Sequence, residues 1–449
     1  MKKNKKIAAI IAAGTFAAAA LAGCSNGTAS SESSSSSSSS SSETSKASSS
    51  SVSITMLNSK MEIQPQLEEM AKKYKEQTGV SIEVYSTANG ASPAETIAQK
   101  YAAGDPPTLA MLDGTDILTI AKEKAIDLSS EKWASDGGST YGISIDGTLY
   151  SFPFCIEGRG LIYNKTIIEK LTGKEFNPDS IKSMDALKKL MDELVAAGME
   201  HPMVINKEDW SLGAHYLATV YEEQDGTAAG AYKFTEGLKK GTEKLIENKR
   251  FNTIMDTFDM LKEYNINKAD PMAADYDLNA SYVAEGKSAF WFNGNWAWAE
   301  ISEYVDDSTE MGIMPLVQNT SEDDFANNRL CASGSKQVMI DKIKATPEQQ
   351  QAAKDFLNWL VYDEAGQSVL VNDCSLVPAF KNITLEVKDP LGQSIKKYVD
   401  AGNTVEGFNG CPGDHWSTLG ASMQKYLAGQ IDRAGLASEV EAYWAKQAK

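Results

Sequence analysis

Ser288-Ala289-Phe290-Trp291-Phe292-Asn293-Gly294-Asn295-Trp296-Ala297-Trp298 is the stretch of this chain whose residue types and spacing point most directly to chemistry. A β-like run ends in Asn-Gly-Asn, a helix is expected to begin near Asn295, and Trp296 falls in its first turn. An indole at such a junction can lay its face on the apolar C–H side of a pyranose ring, while Asn293 and neighbouring carboxylates bond hydroxyls. Trp291 and Trp298 read as core residues. What such a site does is bind; nothing in it breaks a bond.

Motifs of catalysis and metal binding are absent or incomplete. The chain has three histidines, His201, His215 and His415, and no HExxH, GxSxG or P-loop pattern. Ser333-Gly334-Ser335-Lys336 satisfies SxxK, but it has no SDN or KTG companion. Asp275-Tyr276-Asp277-Leu278-Asn279 imitates the start of a calcium loop. Its sixth position is Ala280, where the turn needs Gly, and its twelfth is Gly286, where calcium needs a bidentate Glu. No catalytic residue, metal or cofactor is therefore expected. A carboxylate pair for glycoside hydrolysis stays open, because acids are plentiful and their spacing in space is unseen.

The first fifty residues say where such a site would work. Lys2, Lys3, Lys5 and Lys6 precede an Ala/Ile-rich run from Ile7 to Leu21, too short and too Ala-rich for a comfortable span. It reads as a signal peptide, residues 1–23. Leu21-Ala22-Gly23-Cys24 resembles a bacterial lipobox, in which Cys24 takes a diacylglyceryl thioether and becomes the new N-terminus. Residues 24–52, with unbroken serine from Ser33 to Ser42, have nothing to bury and form a tether of ~30 Å reach. The formal charge is −18, and loss of the leader's four lysines leaves −22. That excludes a nucleic-acid or anionic-lipid role for the body, since both reward positive surface. Beyond Cys24, the cysteines Cys155, Cys331, Cys374 and Cys411 have neither CxxC nor Cys/His metal spacing; two disulfides and four buried thiols are equally open.

The roughly 400 remaining residues exceed one core, so two lobes are expected. Residues 53–58 read as a strand. A helix follows with Pro65 in its first turn, Leu67, Met70, Ala71 and Tyr74 on one face, and Gly79 at its end. Residues 80–85 read as a second strand, 94–103 as a helix and 108–112 as a third strand. This strand–helix alternation implies a parallel α/β sheet, with ligands beyond the strands' carboxyl ends, near Asn58, Lys60 and Asp113. Farther on, 149–154 and 158–164 read as two strands. Helices are expected at 183–198, 210–221, 252–264 and 276–285, and Thr346-Pro347-Glu348-Gln349 opens another with a capping box.

Taken in order, three stretches resemble the family-1 extracellular solute-binding proteins, the carbohydrate receptors of ABC importers. They are Phe152-Pro153-Phe154 with Glu157-Gly158-Arg159-Gly160-Leu161-Ile162-Tyr163-Asn164-Lys165, then Gly286 through Trp296, then Ala352 through Gln367. The likeness runs from about residue 52 to the C-terminus. It implies a two-lobed α/β fold of the periplasmic-binding-protein type II class, with a ligand cleft between lobes and three hinge crossovers, near Ile156, 312–316 and 341–346. Lobe 1 would be 53–156 with 316–343, and lobe 2 would be 157–311 with 347–449. It further implies a monomer that clamps a mono- or oligosaccharide by hinge closure and hands it to the permease subunits of a membrane transporter. Carried over by position, the implied contacts are Asn58, Lys60, Asp113, Glu157, Arg159, Trp210, Asn293, Trp296, Asp414 and Trp416. Glu157 could instead pair with Arg159, and His415 is expected as a loop hydrogen bonder. With the lipid on Cys24, the location would be the outer face of a cell membrane, as on a Gram-positive surface. Two other readings are a same-fold receptor for a non-sugar solute and a surface-anchored glycan-active enzyme.

Overall fold

A computed structural model describes residues 52–88 and 91–448. The expected leader, Cys24 and the tether up to Ser51 lie outside the described residues. The body is an α/β structure built on one continuous nine-stranded sheet. Its strands are β1 (Ser53–Asn58), β2 (Ser81–Ser86), β3 (Leu109–Asp113), β4 (Phe152–Asn164), β5 (Met203–Val204), β6 (Phe290–Gly294), β7 (Met311–Met314), β8 (Leu330–Ile340) and β9 (Thr404–Val405). The order is β2-β1-β3-β8-β4-β6-β5, with β9 on β8 and β7 on β4.

The first half forms as its periodicity dictates. Helix α1 (Gln64–Thr78) buries Leu67, Met70, Ala71 and Tyr74, and Gly79 ends it at φ 79°, a conformation that a side chain resists. Helix α2 (Pro93–Ala102) leads to β3, and β1 runs parallel to both β2 and β3. β3 passes straight into helix α3 (Gly114–Lys124). This direct strand-to-helix junction places Asp113 and Gly114 at the strand's carboxyl end, where a crevice is expected.

The joint between the halves departs from the expectation in three ways. The strands expected at 149–154 and 158–164 are one 13-residue strand, β4. β8 bonds it from Phe152 to Arg159, and β6 and β7 take over from Arg159 to Asn164, so no residue near Ile156 lacks a partner. The second passage is not at 312–316, because β7 lies wholly against the far end of β4. It is made by β8, which starts beside β9 and Arg159 and ends paired with β3. Nor does the chain leave the first half at 341–346. Helix α4 (Pro347–Tyr362) sets Phe356 and Trp359 against Tyr74 of α1, with ring centroids 5.1 and 5.2 Å apart.

The third passage follows Val377, which bridges to Ile156, and precedes helix α5 (Pro390–Asp400). From α5 the Ser394 hydroxyl accepts the Ile313 N–H of β7 at 3.3 Å. Residues 347–373 therefore group with the first half, not with the second as the sequence-based lobes had it. An amphipathic helix shows that it has an apolar stripe, and only assembly shows which half offers the matching face.

The four cysteines of the body are free thiols, three of them buried. Among the described residues no helix is long and apolar enough to cross a membrane.

Candidate functional site

Asn58 closes the turn after β1. It is wholly buried: its Oδ1 accepts the Lys60 N–H at 2.8 Å, and its Nδ2 donates to Lys60 O and Gln64 Oε1 at 2.9 and 3.0 Å. Asn58 thus shapes the turn from a fully buried position with both amide hydrogens spent, which corrects its expected role. The turn aims Lys60 inward. Its Nζ lies 2.5 Å from Glu157 Oε1 and 2.6 Å from Glu62 Oε1, with Lys60 3% and Glu157 8% exposed. Glu157 stands midway along β4 and also accepts the Ser335 hydroxyl. Burial alone would raise its carboxyl. The Lys60 and Lys336 ammonium groups and the hydrogen bonds outweigh that and hold it below the ordinary range.

Register rather than proximity in sequence makes the neighbouring pair. Lys336 of β8 lies opposite Asp113 of β3, with Nζ 2.6 Å from Asp113 Oδ1. The SxxK stretch set aside as an enzyme motif therefore supplies Ser335 to Glu157 and Lys336 to Asp113. One turn into α3, burial and the Asp113 charge push Asp116 up to about 7. A carboxyl raised on folding stabilises fully below its ordinary value, and this contribution is lost as pH rises through the folded one. Asp116→Asn should accordingly gain melting temperature relative to wild type as pH climbs from 4 to 8. A difference that stays flat across that range in thermal melts would refute the coupling.

Aromatic rings come from the second half. Trp296 is half-buried in the turn after β6, and Asn295 Oδ1 fixes that turn by accepting the Gly158 N–H at 2.9 Å. Its ring folds back over Gly294, where a Cβ would fall 2.1 Å from a ring carbon. This explains the Gly-x-Trp spacing: any side chain at 294 would displace the indole. Asn293 is buried, accepts the Gly294 N–H and donates to the Tyr276 hydroxyl at 3.2 Å. Its amide is thus engaged by Gly294 and Tyr276, where a direct ligand contact was expected. Trp210 opens a wide-pitched π-helical segment, Trp210–Leu217, a local geometry that often marks functional sites. Ring centroids run in a chain: Tyr276 to Trp210 is 5.6 Å, Trp210 to His215 is 5.3 Å and His215 to Trp296 is 4.7 Å.

His215 and Tyr276 were missed by the sequence reading. No local signal marked His215: five residues after Trp210 it would turn away on an α-helix, and the π-helical segment brings the two rings together. Burial, then the Arg159 charge, lower His215 to about 3, so it is neutral at physiological pH and can both donate and accept.

The expected residues divide accordingly. Lys60, Asp113, Glu157, Trp210 and Trp296 are brought into one region. Arg159 does not pair with Glu157. Its guanidinium holds the buried Glu222, and its Nε donates to His215 O at 3.1 Å, which makes it a brace beneath the rings. Asp414 is exposed and accepts the hydroxyl of Tyr443, on the C-terminal helix, at 2.8 Å. His415 is a hydrogen bonder, but a buried one, with Nε2 3.1 Å from the Tyr221 hydroxyl. Trp416 is half-buried in a helix, His415–Leu427, that packs closely on Gly213 of the π-helical segment.

Solved structures share this architecture at low identity. RafE in complex with raffinose superposes with a TM-score of 0.72 at 18% identity, covering 89% of this chain and all of that one. A sugar transporter from Bacillus licheniformis in complex with stachyose gives 0.66 at 19% identity, covering 88% of this chain and all of that one. These neighbours establish a two-lobed solute-binding fold of the type II class. The maltotriose-binding protein of Pyrococcus abyssi is 25% identical over 177 residues, 39% of this chain and 32% of that protein. The match thus spans about a third of that relative's length. The family model described as bacterial extracellular solute-binding protein matches residues 69–402. The chain, with its two α/β halves joined through β4 and β8, belongs to the extracellular solute-binding proteins of bacteria.

Proposed function

We propose that this protein captures a mono- or oligosaccharide between its halves and presents it to the permease of an ABC importer. The observation that carries this reading is the chain of rings Trp210, Tyr276, His215 and Trp296 beside the polar pairs Lys60–Glu157 and Asp113–Lys336. Indole faces suit sugar C–H surfaces, and ionised groups suit hydroxyls. The solutes named with the similar proteins, raffinose, stachyose and maltotriose, point the same way. Closure would favour the liganded form, and the importer would select it. The protein acts as a binder and transforms nothing.

A melting-temperature screen of the purified protein against raffinose, stachyose, maltotriose and their monosaccharides tests this reading. A sugar at a hundredfold excess over its Kd stabilises by ~2.7 kcal/mol, enough for a rise of several degrees. A rise with peptides or polyamines and none with any sugar would overturn the assignment; so would turnover of a glycan.

The lipid on Cys24 would keep this receptor at the outer face of the membrane, with the serine tether leaving both halves free to close. Cys24→Ala should move the protein from the membrane fraction to the medium, since two acyl chains give stable anchoring and none gives no anchoring. Persistence in washed membranes would count against lipidation.

A further inference from the structure

One contact joins the halves where no side chain fits. Gly114 is the first residue of α3 and is buried. A Cβ built on it would stand 2.5 Å from Oδ1 and 2.8 Å from Cγ of Asn409. Gly114 is not among the glycines at positive φ, so its backbone does not require glycine. The close approach of Asn409 does.

Asn409 belongs to the segment 406–410, which is built onto the second half. The Phe408 N–H donates to Glu222 Oε1 at 3.1 Å, and the other Glu222 oxygen holds Arg159 of β4. The Phe408 ring packs on Tyr232 at 4.8 Å, and Glu406 Oε2 accepts the Ala228 N–H at 2.8 Å. Gly407 faces the Ser333 side chain, 2.5 Å from where its Cβ would be. Bonded at Glu406 and Phe408, with Gly407 close against Ser333 between them, the segment follows β8 out of the second half and ends on the first turn of α3. That end lies next to Asp113, whose carboxylate makes no cap bond to α3 and holds Lys336 instead.

We propose that 406–410 is a closure arm. Asn409 seated on Gly114 is the contact that completes the closed clamp, and the buried Arg159–Glu222 pair is the brace that aims the arm. Gly114 and Asn409 are then positioning residues: they set ligand affinity through the closed state without touching the ligand. This rests on the reading that the halves close on a ligand. Affinity measured for such a protein contains the free energy of closing, so any group that obstructs the seat weakens binding from a distance.

Gly114→Ala separates this from a structural role. Ala is the better helix former, so the ligand-free melting temperature should hold or rise. Affinity for raffinose or stachyose, read by tryptophan fluorescence, should nevertheless fall ~10-fold, the scale of coupling between residues in contact. In an Asn409→Gly background the same Ala should cost nothing, because the amide that it meets is gone. Gly114→Val should deepen the loss if the Asn409 amide swings aside for Ala. Wild-type affinity in both Gly114 variants, or equal losses in both backgrounds, would overturn the arm.

If wild type binds neither probe, the failure belongs to the sugar reading. The arm is then read without ligand by small-angle scattering. Gly114→Ala should enlarge the radius of gyration, and it should not do so in the Asn409→Gly background. Equal radii for wild type and Gly114→Ala would refute it.

Discussion

Trp296→Ala should cost sugar binding at least ~30-fold while leaving the protein folded, because aromatic anchors at the centre of a site carry 2 kcal/mol or more. Its environment supports the separation of the two effects. Trp291 and Trp133 are fully buried, and truncating either would cost ~3–5 kcal/mol of stability. Trp296 is half-exposed, with one side on Gly294 and an edge near His215, so its truncation opens less cavity. Calorimetric titration of Trp296→Ala and Trp296→Phe beside wild type checks this, with Phe expected to retain part of the affinity. Gly294→Ala is the companion: it keeps the indole but pushes it from its seat, and should weaken binding as well. Unchanged titrations for Trp296→Ala would make Trp296 a core residue and move the platform to Trp210 and Tyr276.

Lys60→Met should be the most destabilising single change in the crevice, at ~3–5 kcal/mol, because it strands a buried carboxylate. Glu157 would keep the Ser335 hydroxyl but lose the ammonium 2.5 Å away. By contrast, loss of Lys72, whose pairing with Glu69 is exposed on both sides, should be worth at most ~1 kcal/mol. Glu157→Gln added to Lys60→Met should recover much of the loss, a non-additivity that urea unfolding of the four proteins would reveal. The sign with pH follows from Glu157's depressed carboxyl. Its contribution is complete above the ordinary value of 4.5 and fades as pH falls through the folded one. The wild-type advantage over Lys60→Met should therefore shrink in acid. A constant difference between pH 7 and pH 3, or additive double-mutant losses, would show that the pair is not coupled as described.

What could be read in the chain and what could not follows from the range of the forces involved. The first β-α-β-α-β unit was legible because periodicity, a Pro in a first turn and a terminal Gly are local: Leu67, Met70, Ala71 and Tyr74 declare one helical face whatever surrounds it. Trp296 was legible because Gly-x-Trp encodes a steric demand two residues long. The partners of charged groups were not. Arg159 stands two residues from Glu157, yet its carboxylate is Glu222, and Glu157 takes Lys60 from 97 positions away. Opposite charges abound in a chain with 61 acids, and sequence does not rank them.

By itself, the sequence determined the α/β class, the order of most elements, the resemblance to solute-binding receptors and the tryptophan at the end of β6. Those rest on side-chain volume, helix and strand period, and backbone freedom, all settled within a few residues. The tertiary structure alone decided that β4 runs unbroken through Ile156, that α4 returns to the first half, and that Lys336 faces Asp113. It also brought Asn409 onto Gly114, 295 positions earlier in the chain. Register and packing between distant segments depend on the whole apolar surface being buried at once, so no local stretch contains them.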